Sequence, residues 1–303
     1  MGTTGTKDTN GTIAKDTAGQ INSPLRTPAL QSILSVEEAA IRQADDRFIA
    51  AHSAESCSLC NAGPHIPFSM AFQPIVNITQ GCVVAYEALA RGPKGEPAAS
   101  VLEATLHNNR YSIDQRCREK AIAISSTLGI LNTTADLNVN FYPNAVYEPK
   151  QCLKRTFNMA ESVRFPLNRI IFEITEVEEV RDRGHLSNIM REYRSHGLRV
   201  AIDDFGAGHS GLSLLSAFQP DIIKIDRELT RSIDERPTSR SIVRSIVQIC
   251  QDLNIEIVAE GIEREQEMNI LCDLGIDTMQ GYFFARPGFE ALPTWPQAAQ
   301  QAS

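Results

Sequence analysis

The sequence predicts an α/β protein, a modified TIM-like (β/α)8 barrel with an antiparallel first strand pair, preceded by a largely disordered N-terminal arm. After Pro67, short apolar runs alternate with longer amphipathic ones, as in a mostly parallel sheet with helical crossovers. Eight such runs within about 220 residues favour a closed barrel. Only residues 77–81 join the first two runs, which is too few for a crossover helix, so this pair should be antiparallel.

The predicted elements follow one another in regular order. Each predicted strand is a short apolar run bounded by turn residues, and each predicted helix is a longer amphipathic segment. The predicted strands are 68–76, 82–88, 135–141, 169–174, 199–202, 221–225, 256–259 and 278–283. The predicted helices are 98–108, 113–128, 150–162, 178–196, 210–217, 238–253 and 263–274.

The chain divides by composition into an arm (1–65), a barrel (66–290) and a tail (291–303). Residues 1–32 contain no aromatic side chain and are rich in Thr, Gly, Asn and Asp. They cannot bury enough apolar surface to offset the entropy of ordering, so we expect disorder there. Helical composition over 36–51 predicts one short helix, followed by a turn-rich linker. The Pro- and Gln-rich segment from residue 290 onward should fray.

The chain has seven cysteines, an odd number that argues against a disulfide scaffold and favours a reducing, cytoplasmic compartment. Cys57 and Cys60 form a C-x-x-C pair in the linker, between His52 and His65. One interpretation of this pair is a zinc half-site or a redox pair. The other is a thiol pair that is inert or regulatory. The absence of a second C-x-x-C favours the inert or regulatory alternative. The remaining cysteines should lie in the core.

The charge balance limits the classes of partner. The chain has 29 Lys and Arg against 37 Asp and Glu, a formal charge of −8. Such an acidic chain is a poor generic binder of DNA or RNA. No apolar run reaches the ~18 residues that a membrane span needs, and the N-terminus lacks the apolar segment of a secretory signal. A phosphorylated ligand would therefore require metal ions or a local basic cluster.

Polar side chains gather at the predicted strand ends, which converge on one face of a parallel barrel. Several carboxylates and an amide cannot all remain ionised and unpaired there, and their oxygens suit Mg²⁺ or Mn²⁺. Helix N-capping is the alternative for Asp226 and Glu263, and an ion pair with Asp226 or Asp204 is the alternative for Lys224. The strand-end residues are Glu87, Asn140, Glu173, Asp203, Asp204, Lys224, Asp226, Glu260 and Gln280.

A glycine motif lies beside these residues. Residues 206–211 match G-x-G-x-x-G, and Asp226 stands about 20 residues further on, as in a dinucleotide fingerprint. However, Asp203 and Asp204 directly precede the glycines and would repel a bare pyrophosphate. The fingerprint also belongs to the first strand of an open sheet, whereas this loop follows the fifth strand. A flexible glycine loop beside a metal site is the better interpretation.

Eight ordered motifs between about residues 66 and 290 carry a family resemblance. The first two are Phe72-Gln73-Pro74-Ile75-Val76 and Glu87-Ala88-Leu89 with Arg91. The others are Val139-Asn140-Phe141, Phe172-Glu173-Ile174-Thr175-Glu176, Ile202-Asp203-Asp204-Phe205-Gly206, Ile223-Lys224-Ile225-Asp226, Val258-Ala259-Glu260-Gly261-Ile262-Glu263 and Gln280-Gly281-Tyr282-Phe283. With these motifs the chain resembles the EAL family of cyclic di-GMP phosphodiesterases.

The resemblance implies hydrolysis of cyclic di-GMP to linear pGpG with two Mg²⁺ or Mn²⁺ ions, Ca²⁺ being inhibitory, in a homodimer formed through the barrel. It implies metal ligation by Glu87, Asn140, Glu173, Asp203, Asp204 and Glu260. Catalytic roles fall to Lys224, Gln280, Glu87 and Glu260, with Lys224 and Gln280 near the attacking water. Substrate contacts fall to Gln73, Leu89, Arg91 and Asp226, and loop anchoring to Glu176 and Glu263.

Three functional hypotheses follow from the sequence. The first is an active metal-dependent phosphodiesterase. The second is a receptor that binds cyclic di-GMP without hydrolysing it. The third is an interaction protein that contacts an unknown partner through its N-terminal arm. Degenerate relatives lose several of the acidic ligands, and this sequence keeps them all, so the first hypothesis is favoured.

Overall fold

The computed structural model describes residues 67–99, 110–142, 146, 149–175, 183–208 and 211–295. The predicted arm helix, Cys57 and Cys60 lie outside these residues. Most of predicted helix 98–108 and the start of helix 178–196 do so as well. Within the described residues the strands are β1 (Ser69–Asn77), β2 (Cys82–Arg91), β3 (Asp136–Asn140), β4 (Ile170–Thr175), β5 (Arg199–Phe205), β6 (Ile222–Ile225), β7 (Glu256–Ala259), β8 (Thr278–Gln280) and β9 (Gly288–Phe289).

The strands close into a barrel. The sheet runs β2-β3-β4-β5-β6-β7-β8-β1, and a β1–β2 pairing joins its two ends. Strands β2 to β8 are mutually parallel. Strand β1 is antiparallel to both β2 and β8. The predicted closed barrel with an antiparallel first pair is therefore confirmed, and the carboxyl ends of seven strands meet on one face.

The helices surround this barrel, and their positions agree with the amphipathic segments wherever those are described. Two further short elements were not expected, namely the four-residue helix α5 and strand β9, both too short to leave a periodic pattern. The helices are α1 (Arg110–Thr127), α2 (Pro149–Ser162), α3 (Arg183–Ser195), α4 (Gly211–Ala217), α5 (Arg227–Thr230), α6 (Pro237–Leu253) and α7 (Glu265–Asp273). Among the described residues, no helix combines the length and apolarity needed to cross a membrane.

Two expectations about the last part of the chain were wrong. The eighth strand ends at Gln280 rather than at residue 283, because the chain turns there and the Ala285 N–H donates to the Gly281 carbonyl. The first residues of the tail do not fray. The Tyr86 hydroxyl donates to the Pro293 carbonyl at 3.0 Å, and the Trp295 ring packs edge-on against Phe284. Residues 296–303 lie outside the described part.

The barrel wall separates two apolar cores, because successive side chains of a strand point to opposite faces. The larger core lies between strands and helices and includes Phe172, Ile202 and Ile223. The smaller core lies inside the barrel and is formed by side chains from the alternate positions. Its members are Ile75, Ala85, Ile171, Ala201, Ile222 and Val258.

Candidate active site

The candidate site is the layer of the barrel interior directly above the inner apolar core. On or directly after five of the strands, the side chain two residues beyond an inner apolar residue is polar and also faces inward. This spacing of two is visible in the sequence and brings the polar side chains to one level at the carboxyl ends. These residues are Glu87 after Ala85, Glu173 after Ile171, Asp203 after Ala201, Lys224 after Ile222 and Glu260 after Val258.

Lys224 is the centre of this layer. Its side chain is fully buried, and its Nζ contacts carboxylates from four different strands or strand ends. The distances are 2.7 Å to Glu260, 2.9 Å to Glu173, 2.9 Å to Asp203 and 3.4 Å to Glu87. Lys224 therefore does not form the ion pair with Asp226 or Asp204 that the sequence left open as an alternative. One cation is thus enclosed by several anions, an imbalance that a purely structural salt bridge does not have.

The charge imbalance shifts the pKa values of the site. Burial raises the pKa of Glu173 to about 8, although Lys224 acts to lower it. Burial also raises the pKa of Glu260 well above its usual value. Burial and the neighbouring Asp203 raise the pKa of Asp204 to about 6. Burial would lower the pKa of Lys224, but its carboxylate neighbours raise it well above 10.5, so this side chain is a cation. Full ionisation of the acids needs further positive charge.

Metal ions could supply that positive charge, and two overlapping groups of three carboxylates are placed to hold them. Glu87, Glu173 and Asp203 form one group, and Asp203, Asp204 and Glu260 form the other. In each group one oxygen from every residue lies within 4.8 Å of the others. The Glu173 Oε2 atom is buried and accepts no hydrogen bond from the described residues, so it has lone pairs available for an ion. An all-oxygen set of this kind fits Mg²⁺ or Mn²⁺.

A bulge makes the second group possible. Consecutive residues of a regular strand face opposite sides, so Asp203 and Asp204 would not both face the barrel interior. The β5–β6 register shifts between Ile202 and Phe205, and Asp204 adopts a left-handed φ of 53°. This extra residue turns both carboxylates toward the same cavity, as bulges next to active sites often do.

Amide side chains orient the carboxylates. Gln280 donates to Glu87 Oε2 at 2.7 Å, and the Asn140 amide lies 3.5 Å from Glu87 Oε1. Asn138 was not among the predicted site residues, although it is fully buried and donates to Glu173 Oε1 at 2.7 Å. Asn138 lies two residues before Asn140, so the same spacing of two could have identified it as an inward-facing residue.

A cavity of about 370 Å³ opens above the carboxylates. Gln73, Leu89 and Asp226, three of the predicted substrate contacts, line it. Gln73 reaches the site from β1, where it pairs in register with Glu87. Tyr282, which the sequence analysis did not assign, also lines the cavity and is 49% exposed.

Asp226 and the other predicted residues outside the carboxylate layer also make local contacts at the margin of the site. Asp226 caps helix α5, because its carboxylate accepts the Glu228 N–H at 2.7 Å, so the capping alternative describes its local contact. Glu263 pairs with Arg227 at 2.7 Å. Arg91 donates to its neighbour's carbonyl on β2. Glu176 lies outside the described residues.

The glycine loop after β5 has a packing explanation. Gly206 has a φ of +99°, and a Cβ atom at this position would lie 2.4 Å from the Leu229 side chain. A residue with a side chain would therefore be strained in its backbone, and the Leu229 side chain would have to shift. The left-handed φ thus favours glycine at position 206 for a local reason, which agrees with the preference for a loop beside the site over a dinucleotide fingerprint.

Comparisons with known proteins agree with this geometry. The EAL domain family matches residues 65–287. A standalone EAL protein from Vibrio cholerae, solved with cyclic di-GMP bound, is 44% identical with a TM-score of 0.74, over 78% of this chain and 98% of that one. BlrP1 from Klebsiella pneumoniae, solved with manganese and cyclic di-GMP, is 33% identical with a TM-score of 0.72, over 77% and 59% of the two chains.

The curated relatives differ in name. The blue light- and temperature-regulated antirepressor BluF from Escherichia coli is 28% identical over 252 residues, 82% of this chain. Several others are named cyclic di-GMP phosphodiesterases. This chain spans 62% of BluF and 57% or less of those phosphodiesterases. The match over residues 65–287, together with the closed barrel and its acidic face, shows that this chain belongs to the EAL domain family.

Proposed function

We propose that this protein is a metal-dependent phosphodiesterase that hydrolyses cyclic di-GMP to linear pGpG. The observation that carries this proposal is the buried layer in which carboxylates from four strands or strand ends surround Lys224. Two carboxylate groups sharing Asp203 offer places for two ions, and an open cavity of about 370 Å³ lies directly above them. Relatives named cyclic di-GMP phosphodiesterases, and the cyclic di-GMP complexes of similar structures, support the choice of substrate.

The proposed metal ligands are the acidic residues of the two groups together with Asn140. A pair of bound Mg²⁺ or Mn²⁺ ions supplies Lewis-acid activation of water and neutralises charge on the phosphate. Because all ligands are oxygens and no His is among them, zinc is disfavoured. The proposed ligands are Glu87, Asn140, Glu173, Asp203, Asp204 and Glu260.

Lys224 is the proposed catalytic cation. As a buried ammonium it can donate hydrogen bonds to the attacking water and stabilise negative charge that develops on the phosphate oxygens. Glu260, which lines the cavity, accepts from Lys224 at 2.7 Å and so places the buried ammonium directly beneath the cavity floor. Gln280 holds Glu87 and lines the cavity, so it can also position the water. These roles require Lys224 to stay protonated, as it is in the metal-free site, where its carboxylate neighbours raise its pKa.

Gln73, Leu89, Arg91 and Asp226 are the proposed substrate contacts at the rim. Gln73 and Leu89 reach the rim from the antiparallel pair, whereas Asp226 begins helix α5 on the other side. The rim therefore combines amide, apolar and acidic surfaces, a set that can contact the edges and face of a purine base. Glu176 and Glu263 remain the proposed anchors of the loops around the rim.

A cytoplasmic homodimer formed through the barrel is proposed from the family resemblance. Cys82, Cys117, Cys152, Cys250 and Cys272 are free thiols, in keeping with a reducing compartment.

One comparison favours a second candidate function, a protein-interaction or cyclic di-GMP receptor role. BluF is named an antirepressor rather than a phosphodiesterase, and its match covers 82% of this chain. In this alternative the N-terminal arm or the barrel rim contacts a protein partner. The complete acidic layer favours the enzyme, because a receptor has no need for so costly a burial of charge.

The deciding experiment is incubation of the purified full chain with cyclic di-GMP and Mg²⁺, with products separated by chromatography. We expect pGpG to accumulate with the wild type and not with the matched variant Glu87→Gln, which removes one ligand charge. If the wild type binds cyclic di-GMP in calorimetry but forms no pGpG in either Mg²⁺ or Mn²⁺, the receptor function replaces the enzyme.

A further inference from the structure

A second cavity opens at the opposite, amino-terminal end of the barrel. Its volume of about 450 Å³ far exceeds the ~30 Å³ share of one liquid water and falls in the ~300–1,000 Å³ range of small-molecule sites. We call it the basal cavity. Its inner wall is largely aliphatic, formed by Ile75, Val84, Ala85, Ile171, Ile222 and Val258.

A buried hydrogen-bond acceptor lies among these aliphatic side chains. Asn138 lines the basal cavity and is only 1% exposed. Its Nδ2 is engaged with Glu173, but no group of the described residues donates to its Oδ1. A buried carbonyl oxygen without a donor is unfavourable, so an O–H or N–H of a bound molecule would stabilise this position.

The mouth of the basal cavity restricts the charge of that molecule. Of the charged side chains lining the cavity, Asp136, Glu256 and Asp277 are acidic and only Arg199 is basic. Arg199 is already paired, at 3.2 Å with Asp136 and 2.9 Å with Glu256. A phosphate or carboxylate would meet net negative charge and no available cation, so an anionic ligand such as a nucleotide is disfavoured.

We propose that the basal cavity binds a small neutral molecule with an aliphatic body and a hydroxyl or amide N–H that donates to Asn138 Oδ1. Because the same amide donates to Glu173, a molecule bound there holds Asn138 in the orientation that fixes this carboxylate. Occupancy of the basal cavity therefore strengthens ion binding on the other side of the barrel. This coupling, unlike the cavity site itself, rests on the proposed function.

The test uses cyclopentanol as the probe and cyclopentanone as its matched control, since the ketone has the same ring but no donor. The readout is methyl NMR of the isoleucine-labelled full chain. We expect saturable shifts of the Ile75, Ile171 and Ile222 methyl signals with cyclopentanol, and about fivefold weaker binding of cyclopentanone. The Ile124 signal, on helix α1, should not move. Absence of saturable shifts, or equal binding of both probes to the wild type, overturns the proposal.

Two variants test the residues. Ala85→Leu fills the basal cavity and should abolish binding of both probes, whereas Asn138→Leu should make the alcohol and ketone bind equally. Circular dichroism checks that each variant is folded, and Ala85→Val serves if the leucine is not tolerated. Binding of cyclopentanol to a folded Ala85→Leu protein with wild-type affinity would place the probe elsewhere and overturn the site.

The coupling is measured by Mn²⁺ calorimetry on the wild type with and without saturating cyclopentanol. We expect Mn²⁺ to bind at least about fivefold more tightly with the probe present. An unchanged Mn²⁺ affinity overturns the coupling. Absence of any Mn²⁺ binding overturns the proposed metal site and the coupling together, while the NMR titration decides the cavity independently.

Discussion

The two ends of the barrel interior place similar residue types in different environments. At the carboxyl end, Lys224 is fully buried among four carboxylates. At the amino end, Arg199 pairs with Asp136 and Glu256, and its side chain is 32% exposed. Both ends continue the same alternation of inward-facing residues, and the aliphatic inner core separates them.

The difference shows which charges serve chemistry. At the amino end Arg169 also lies 4.0 Å from Asp136, so Asp136 and Glu256 both have basic partners, and water can solvate these partly exposed pairs. At the carboxyl end four carboxylates surround the single buried cation Lys224, and burial raises the pKa of Glu173 to about 8. Because buried unbalanced charge is costly, its persistence indicates a function, whereas balanced, half-exposed pairs contribute little.

Removal of the central cation from each end should give the largest contrast. Lys224→Ala should reduce turnover by a factor of about 10²–10³ or more, because it removes a preorganised donor to the transition state. Cyclic di-GMP affinity, measured by calorimetry in Ca²⁺, should survive, because the lysine acts chiefly in the transition state. The variant should also unfold more easily by about 3–5 kcal/mol without metal, since the carboxylates lose their partner.

Urea unfolding with and without Mn²⁺ measures the stability effect, and bound Mn²⁺ should restore part of the loss. Wild-type turnover in Lys224→Ala would remove the lysine from the mechanism and, with it, the contrast between the two ends.

Replacement of Mg²⁺ by Ca²⁺ at the carboxyl end should reduce turnover nearly as much. Ca²⁺ binds oxygen ligands at about 2.3–2.6 Å with loose geometry, compared with about 2.0–2.1 Å for Mg²⁺. We therefore expect cyclic di-GMP to bind but not to be hydrolysed in Ca²⁺, and added Ca²⁺ to inhibit the Mg²⁺-supported reaction. Product chromatography after chelation and dialysis provides the measurement. Equal turnover with Ca²⁺, or full turnover without any added metal, would contradict the proposed ion site.

The raised pKa values predict a pH effect of intermediate size. The pKa of Glu173 is raised from 4.5 to about 8, so at pH 7 the metal-free site retains a proton that metal binding must release. Mn²⁺ affinity should consequently increase from pH 6 to pH 8. Calorimetry in two buffers of different ionisation enthalpy should show at least about one proton released at pH 7, since the pKa of Glu260 is raised as well. Affinity that does not change with pH would contradict the raised pKa.

The same shift determines the pH dependence of stability. A folded-state pKa above the unfolded value stabilises the metal-free protein at low pH, and this contribution is lost as pH rises from 4.5 toward 8. Thermal unfolding of chelator-treated protein across this range should show a decline that Glu173→Gln reduces.

The smallest effect should come from the amino end. Arg199→Met should leave turnover within about twofold of the wild type and lower the free energy of unfolding by no more than about 1 kcal/mol, because its ion pairs are partly exposed. It is the matched control for Lys224→Ala, as both remove one cation from an inward-facing position. A loss of turnover comparable to that of Lys224→Ala would show that the two ends are not functionally distinct.

Sequence alone determined the order of the elements, the antiparallel first pair and the residues that would meet at the strand ends. These features are local. The alternation of apolar residues along a strand has a period of two, and the five-residue connection between β1 and β2 is too short for a helix. Glu87, Glu173 and Lys224 each lie two residues after an inward-facing apolar residue. Strand β9 and helix α5 were missed because two to four residues carry no periodic signal.

The tertiary structure alone decided the contacts across the barrel. Lys224 meets Glu87, 137 residues away in the chain, only because strand register and closure bring them to one level. The bulge that turns Asp204 inward and the bond from Asn138 to Glu173 depend on neighbouring strands in the same way. Trp295 packs on Phe284 instead of fraying because the barrel offers an apolar surface. Such contacts depend on where distant segments lie in space, which local sequence patterns do not encode.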